Sequence, residues 1–532
     1  MNGPAPTRTC SALARQAHQG GCIGEMIRTA IGRFPQRVAF IDAGREIDYA
    51  ALGRLIGQTM AALRRLGLQR GDGVMQLSGN RVEVFVVMAA AYLMGLRSVT
   101  LHALGGHDDH AYIVGDAEPS VFITEAAHGK QAQALRAACP GVAHWFSHDA
   151  CAGFADFRAL ATALEPEPLV PEAQPNDIIR LAYTGRTTGK PKGVMLANRS
   201  VWMQAVLLMA ARGMRAGMRV LCATPISHGA GAMIVPTLAS GGCFILQRGF
   251  DPGQFIDALQ AQRANAAFLV PTMIYKLLDH PRCASADFSS LELLSYGAAP
   301  MMPARIRQAL ARFGPVLAQS YGQSECPSNI LHLTPEDHCR TDIDILASAG
   351  MPYPGVTVEL LDAEDRPVAD GEVGELCVRS PLVMNGYWKQ PELTRQTLRG
   401  GWLHTGDMAR RDANDYYHLV DRRKDMVISG GFNVYPKEVE DVIAQHPAVA
   451  AVAVIGVPDE YWGEAVEAVV VKHPGTTLES QELQALVRQA KGAVCTPKTI
   501  DFVAALPLTA LGKPDKKQLR ERFILKPAVR MP

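Results

Sequence analysis

The stretch LAYTGRTTGKPKGVML (residues 181–196) follows strand-like residues and combines glycines, threonines and lysines. Glycines expose backbone N–H groups, threonines add hydroxyl donors and lysines add positive charge, a combination suited to a polyphosphate. The stretch is not a Walker A loop, because the first two glycines are separated by three residues and Lys190 precedes Pro191 rather than a Ser or Thr. The hydroxyl that would bind Mg²⁺ in a Walker A loop is therefore missing. The stretch therefore predicts a polyphosphate loop, with the following helix capped by Asn198.

The length, composition and net charge are those of a large globular protein. The chain has 532 residues, with 48% hydrophobic and 20% charged residues and a formal net charge of +1, so no nucleic-acid partner is expected. The 11 cysteines are scattered singly, which favours reduced thiols. The N-terminus lacks the apolar core of a signal peptide. The apolar stretch 84–96 is shorter than the roughly 20 residues of a membrane span, so we predict no transmembrane segment and a cytoplasmic location.

Helix-like and strand-like segments alternate through the first two-thirds of the chain, a pattern typical of parallel βαβ units. Residues 355–380 change to short alternating strands and turns, which predicts a small β unit. The charged cluster DRRKD (421–425) is followed by a compact mixed stretch. The predicted fold class is α/β: a large N-terminal body of βαβ subdomains plus the β unit (1–420), a hinge (421–425), and a small mobile α+β C-terminal domain (426–532).

Several further motifs follow the first stretch in a fixed order: PISHGAGA (225–232), SYGAAPM (295–301), SYGQSE (320–325), GELCVRSPLVMNGYW (374–388), GWLHTGD (401–407), DRRKDMVISGGFNVYP (421–436) and PLTALGKPDKKQLR (507–520). Together with YTGRTTGKPKGV they resemble the adenylate-forming superfamily, which includes acyl-CoA synthetases, the adenylation domains of peptide synthetases and beetle luciferase. The order and spacing across residues 40–520 make this resemblance highly specific. Arg186 departs from the pattern, because a small residue is common there.

The resemblance implies two reactions. An acid and ATP give an acyl-adenylate and pyrophosphate, and coenzyme A then gives acyl-CoA and AMP. It implies a phosphate loop at Thr184, Thr187, Thr188, Gly189, Lys190 and Lys192. Gly297, Ala298, Ala299, Tyr321 and Gly322 would surround the adenine, Ser324 would reach the α-phosphate, and Glu325 would be the Mg²⁺ ligand, since a carboxylate suits a hard cation. Asp407 and Arg422 would contact the ribose or phosphates.

The resemblance also assigns roles late in the chain. Lys513 would bridge the acid and the α-phosphate during adenylation, where a compact ammonium suits accumulating negative charge. Lys424 sits where the family places its hinge. Rotation of the small domain there would remove Lys513 from the active site and bring in the face that carries Gly430 and Gly431. These glycines would let the thiol arm of coenzyme A approach closely.

The acid pocket is assigned by the same resemblance to His228, Gly229 and Gly231. An amino-acid substrate is disfavoured because PISHGAGAMIVPT contains no aspartate. The predicted pocket segments 225–235, 270–275, 296–302 and 320–328 show no obvious arginine, so we expect an apolar monocarboxylate, aliphatic or aromatic. Two alternatives stay open: a standalone enzyme that loads a carrier-protein thiol, and a non-catalytic nucleotide-binding relative. A homodimer is also left open.

Overall fold

The computed structural model describes residues 21–103, 105–184, 190–340, 342–422, 425–429, 432–459, 462–509 and 514–524. These residues belong to two compact units. The larger lies within Met1–Arg186, Lys190–Thr357 and Val378–Leu403, and the smaller includes Val358–Cys377 and His404–Pro532.

One sheet of the larger unit has seven strands, mostly parallel. Its last two strands are antiparallel and flank the phosphate-loop motif. In spatial order the strands are Ala155–Asp156 (β7), His144–Ser147 (β6), Val121–Thr124 (β5), Gly73–Leu77 (β3), Arg97–Thr100 (β4), Ile178–Tyr183 (β8) and Gly193–Ala197 (β9).

The second sheet of the larger unit has nine strands, with a parallel centre. Its central strands are short and apolar, as expected when both faces are covered by other elements. In spatial order the strands are Met351–Pro352 (β16), Cys326–Leu333 (β15), Leu317–Gln323 (β14), Leu293–Gly297 (β13), Ala266–Leu269 (β12), Arg219–Cys222 (β10), Cys243–Leu246 (β11), Val38–Asp42 (β1) and Arg45–Asp48 (β2).

Helices connect these strands and pack their apolar faces on the sheets. The helix Val82–Met94 is almost entirely buried, which explains why its sequence lacks a polar face. The other helices of the larger unit are Ile23–Arg33, Tyr49–Arg65, His107–Ala117, Gly129–Ala138, Phe157–Thr162, Asn198–Ala211, Ile234–Ala239, Pro252–Ala261, Pro271–Leu278, Pro303–Phe313, Pro335–His338, Ile343–Ala347 and Pro391–Thr397.

The smaller unit contains a four-stranded sheet formed by Thr357–Leu361 (β17), Val373–Arg379 (β18), Leu403–Arg411 (β19) and Tyr417–Arg422 (β20). A five-stranded sheet follows, in which Val449–Asp459 (β23) and Gly463–Lys472 (β24) form a long antiparallel pair. Its other strands are Val427–Ser429 (β21), Phe432–Val434 (β22) and Thr499–Phe502 (β25), and the helices are Pro436–Ile443, Ser480–Lys491 and Lys516–Ile524.

The predicted α/β class, with a large parallel body and a smaller C-terminal domain containing antiparallel strands, is confirmed. The predicted cap at Asn198 is wrong, because Asn198 is the first residue of its helix and Ala197 occupies the cap position. The Asn198 side chain instead accepts a hydrogen bond from Ile23 N–H at 2.8 Å and donates one to the Gln174 carbonyl at 3.3 Å. Within the described ranges, no helix is both long and apolar enough to cross a bilayer.

Candidate functional site

The phosphate-loop motif connects two strands of a hairpin. Thr184 N–H donates to the Lys192 carbonyl at 3.1 Å and closes the hairpin. The Lys192 ammonium lies 5.3 Å from the ring centroid of Tyr387, and the Lys190 ammonium 5.1 Å from that of Tyr112. Because β9 returns antiparallel to β8, the loop leads into a strand rather than the helix that follows a Walker A loop. Thr187, Thr188 and Gly189 lie outside the described residues.

A distant segment, residues 384–388, lies along β9. Met195 N–H donates to the Gly386 carbonyl at 2.9 Å, Asn385 N–H to the Met195 carbonyl at 2.8 Å, and Trp388 N–H to the Gly193 carbonyl at 2.7 Å. We call this segment the docking strap. It extends the hairpin by backbone pairing and carries Tyr387 to the phosphate-loop motif.

Glu325 lies in the turn between β14 and β15 and is only 9% exposed. Its Oε1 accepts a hydrogen bond from Tyr387 Oη at 2.8 Å, and its carbonyl accepts one from Met384 N–H at 2.8 Å. Burial, together with the neighbouring Glu325, raises the pKa of Tyr387, so the phenol remains a neutral donor. The docking strap thus joins the Glu325 carboxylate to the Lys192 ammonium through one ring.

Tyr387 was given no role from the sequence, although it stands in a quoted motif. The sequence feature that could have pointed to Tyr387 is its place in two consecutive aromatic residues, Tyr387 and Trp388, directly after Gly386. Ser324 is half-buried beside Glu325. Cys326, the next residue, is fully buried, and burial raises the pKa of its thiol.

The predicted adenine-side turn follows β13, which is parallel to β14. Gly297 pairs with Ser320, the residue before the half-buried Tyr321. A methyl group on Gly297 would lie 2.5 Å from the Ser320 carbonyl oxygen. Ala298 adopts a left-handed backbone with φ 67°, a conformation that is uncommon outside glycine, and Ala299 is half-buried.

Gly322 also leaves no room for a methyl group. A methyl group there would lie 2.7 Å from Ser328 N and 2.8 Å from Ser328 Cα. The motifs of β13 and β14 therefore end side by side at the carboxyl ends of parallel strands, where open α/β sheets bind their ligands.

The predicted acid-pocket motif follows β10 at the same sheet edge. His228 Nδ1 lies 2.8 Å from Ser227 Oγ, and its ring meets that of His102 edge-on at 4.7 Å between centroids. Burial lowers the pKa of His228 to about 3, with contributions from His102 and Arg180, so the imidazole is neutral at pH 7. Gly231 has no room for a methyl group, which would lie 2.0 Å from the Ile226 carbonyl oxygen.

The predicted ribose contacts lie in the smaller unit. Asp407 of β19 is buried and is the cross-strand partner of Arg422, the last residue of β20. The stretch of β19 before Asp407 is held by Glu375, whose Oε1 accepts a hydrogen bond from Gly406 N–H at 3.0 Å and whose Oε2 lies 3.1 Å from His404 Nδ1.

Cys377 Sγ lies 3.3 Å from the same imidazole nitrogen. These three side chains are the one possible metal-ligand cluster in the described part of the chain. Their separations are hydrogen-bond distances, so a network accounts for them. Lys424, Gly430, Gly431 and Lys513 lie outside the described residues.

Comparisons with known proteins agree with this arrangement of motifs. The family model described as AMP-binding enzyme matches residues 27–388, and the model described as AMP-binding enzyme C-terminal domain matches residues 438–513. The chain is 42% identical over 531 residues to the medium/long-chain-fatty-acid–CoA ligase FadD8 of Mycobacterium tuberculosis, covering 94% of this chain and 92% of that protein. It is 36% identical over 494 residues to a feruloyl-CoA synthase of Amycolatopsis sp, covering 92% and 96%.

A solved structure shares the fold over nearly the whole chain. The amide bond synthetase McbA from Marinactinospora thermotolerans matches with a TM-score of 0.87 at 34% identity, covering 94% of this chain and all of that one. The class defined by fold and motifs is thus an AMP-forming acid–thiol ligase. The chain belongs to the AMP-binding enzyme family, within the adenylate-forming superfamily.

Proposed function

We propose that this enzyme joins an organic carboxylic acid to AMP and then transfers the acyl group to coenzyme A. In the first step a carboxylate oxygen attacks the α-phosphorus of ATP, and the bond to pyrophosphate breaks. In the second step the sulfur of coenzyme A attacks the acyl carbon, and AMP leaves. The mixed anhydride is needed because a free carboxylate is anionic and has no good leaving group.

The observation that carries this proposal is the connection from Lys192 through Tyr387 to Glu325. It brings a cation of the phosphate-loop motif to the ring of Tyr387 and a buried carboxylate to the hydroxyl of the same residue. A polyphosphate with its divalent cation needs both a positive group and a hard oxygen ligand. Glu325 is chemically suited to Mg²⁺, because a carboxylate offers hard oxygen ligands. The neutral hydroxyl of Tyr387 donates to Oε1 and holds the carboxylate in place.

When bound, Mg²⁺ would neutralise charge on the phosphate oxygens. The chain's own residues would do the positioning. Tyr321 would stack on the adenine beside the Gly297–Ala299 turn, Thr184 and Lys192 would hold the phosphates, and Lys513 would bridge the two reacting groups. The neutral His228 would orient the acid, which is already ionised at neutral pH and needs no general base.

The acid proposed is mainly hydrocarbon in bulk, aliphatic or aromatic. Two relatives support this range, since one is named for medium- and long-chain fatty acids and the other for ferulate. The half-buried Phe268 lies beside Gly229, where a methyl group would be 3.6 Å from its ring. A half-buried aromatic side chain at this position suits contact with a large apolar group.

The test is a panel of carboxylic acids supplied to the purified full chain with ATP, Mg²⁺ and coenzyme A. We expect AMP and pyrophosphate to form in equal amounts with acyl-CoA. Release of ADP and orthophosphate would overturn the proposal. Replacing coenzyme A by a holo-carrier protein in a parallel arm tests the alternative acceptor, and faster transfer to the carrier would overturn the choice of coenzyme A.

Lys513→Ala separates the two half-reactions. Acid-dependent pyrophosphate exchange should be nearly abolished, while conversion of supplied acyl-AMP to acyl-CoA is kept. Equal loss of both would contradict the role of Lys513 in adenylation alone. Lys424→Pro should show the reverse pattern if residues 421–425 are the hinge, with adenylation spared and overall turnover lost.

A further inference from the structure

Arg212 is a buried guanidinium with unused donors. It follows the helix Asn198–Ala211 and is 5% exposed. Nη2 alone makes all of its hydrogen bonds, to the Gln319 carbonyl at 2.7 Å, to Tyr353 Oη at 3.1 Å and to Ser320 Oγ. Nε and Nη1 are buried without a partner. A buried donor left unpaired carries its full desolvation cost.

Arg212 also lacks an ion-pair partner among the described residues. Its neighbour His332 stacks on Tyr353 at 4.2 Å between ring centroids, and burial and Arg212 lower the pKa of His332 to about 4. Asp337, whose charge also acts on His332, accepts hydrogen bonds from Thr334 N–H and Oγ. A buried charge without a partner is costly.

The position of Arg212 relates it to the proposed acid pocket. Ser320 pairs with Gly297, and on the next strand Ser295 pairs with Phe268. Paired residues of parallel strands, and residues two apart on one strand, share a face of the sheet. One face of the sheet therefore runs from Phe268, beside Gly229, through Ser295 to Ser320 and its contact with Arg212.

Half-buried and buried side chains alternate along this face. Phe268 and Ser320 are half-buried, whereas Ser295 and Arg212 are buried. Ser295 Oγ, like Arg212 Nε and Nη1, is buried without a partner. The face thus offers an aromatic side chain at Phe268, an unsatisfied hydroxyl beside it at Ser295, and unsatisfied guanidinium donors of Arg212 at the far end.

We propose that Arg212, with Ser320, recognises an oxygen-bearing substituent on the end of the acid distal to its carboxylate. This inference rests on the proposed function and narrows its substrate class to acids with a distal hydrogen-bond acceptor. It differs from the sequence prediction of a purely apolar acid, because that prediction considered four pocket segments and Arg212 lies in none of them. Sites built to bond a substrate oxygen discriminate strongly against the analogue that lacks it.

The experiment compares acids of matched size. One pair is 4-hydroxycinnamate and cinnamate, and the other is suberate and octanoate. With the wild-type chain we expect kcat/KM for AMP release to favour the oxygenated member of at least one pair about 100-fold, as for one hydrogen bond to a charged group. The first pair reports a neutral oxygen and the second a carboxylate, so the preferred pair identifies which oxygen Arg212 recognises.

The test variant is Arg212→Met, which keeps length and removes the donors. We expect the preference to fall below about threefold. The fall should come from a lower kcat/KM for the oxygenated acid alone, and KM for ATP should be unchanged. Arg215→Met is the matched control, since Arg215 is exposed and pairs with Glu292. Ser320→Ala provides a second variant should Arg212→Met not fold, and it should reduce the preference in the same direction.

Two results would overturn the inference. One is equal use of paired acids by the wild-type chain. The other is a loss in Arg212→Met, or in Ser320→Ala, that is the same for both members of a pair, which is the signature of a purely structural role. The proposed function fails separately, if no acid of either pair or of the wider panel releases AMP.

Discussion

The two halves of the proposed site in the larger unit are built differently. The nucleotide half depends on backbone: Gly297 and Gly322 leave no room for a methyl group, and the docking strap pairs along β9 through peptide groups. The acid half depends on side chains, namely His102, His228 and Phe268, with Arg212 behind them. Backbone recognition tolerates little change, whereas side chains can be exchanged one at a time. The difference indicates that the adenylation reaction is fixed by the backbone of the nucleotide half, whereas the choice of acid can vary through the side chains of the acid half.

The strongest test of this contrast is Glu325→Gln. Removing the carboxylate charge should lower kcat/KM for adenylation by about 1,000-fold for every acid, as for the loss of one transition-state electrostatic contact. Pyrophosphate exchange measured over a range of Mg²⁺ concentrations checks it. Glu292→Gln, at an exposed ion pair, should be unaffected. A loss confined to some acids would break the separation of the halves.

Gly322→Ala should be the next most damaging. Its methyl group would meet backbone atoms of Ser328, which cannot move without shifting β15, and overpacking of this kind costs about 1–3 kcal/mol. We expect about a 100-fold lower adenylation rate, again for every acid. Gly141→Ala, where a methyl group meets nothing within 4 Å, is the control. Full activity of Gly322→Ala would refute the backbone argument.

A smaller effect should distinguish the two lysines of the phosphate-loop motif. Lys192 faces the ring that holds Glu325, whereas Lys190 faces Tyr112. We expect Lys192→Met to raise KM for ATP about tenfold, consistent with a charge on an aromatic face, and Lys190→Met to have less effect. Initial-rate kinetics at saturating acid measure both. The opposite ranking would move the phosphate site towards Tyr112.

The smallest effect on activity is expected in the acid half, from His228→Gln. Because the pKa of His228 is about 3, wild-type adenylation should show no ionisation of this group between pH 6 and 9, and the variant should keep its pH profile. An acidic limb near pH 6.5 that vanishes in the variant would contradict this.

The same histidine should affect stability in acid. Its pKa is lower folded than unfolded, so the unfolded chain binds the extra proton between about pH 6.5 and 3 and stability falls as pH drops through that window. The slope for one histidine is at most about 1.4 kcal/mol per pH unit. Urea unfolding at pH 7.5 and 4.5 should therefore show a smaller acid loss in His228→Gln.

The sequence predicted those parts of the molecule that depend on local pattern. Alternating helices and strands identified the α/β body, and Pro191 correctly excluded a P-loop. Glu325 was singled out through its motif and is buried beside the docking strap, and its role as the metal ligand stays a prediction. The role of Lys513 stays a prediction.

The parts that were missed depend on contacts between distant residues. Asn198 looked like a cap, but its side chain is used by Ile23 and Gln174, far away in sequence. Tyr387 reaches Glu325 across 62 positions, and Arg212 reaches Gln319 across 107. No local periodicity encodes such pairings, because side-chain partners are set by strand order and register.

The docking strap has a consequence for biosynthesis. Residues 384–388 complete an edge whose other half, β9, is made almost two hundred positions earlier. During translation, the outer edge of β9 has no pairing partner until residues 384–388 have been made. Unpaired strand edges of this kind can pair with the wrong segment. The nucleotide site can therefore form only late in synthesis, after nearly three-quarters of the polypeptide has been translated.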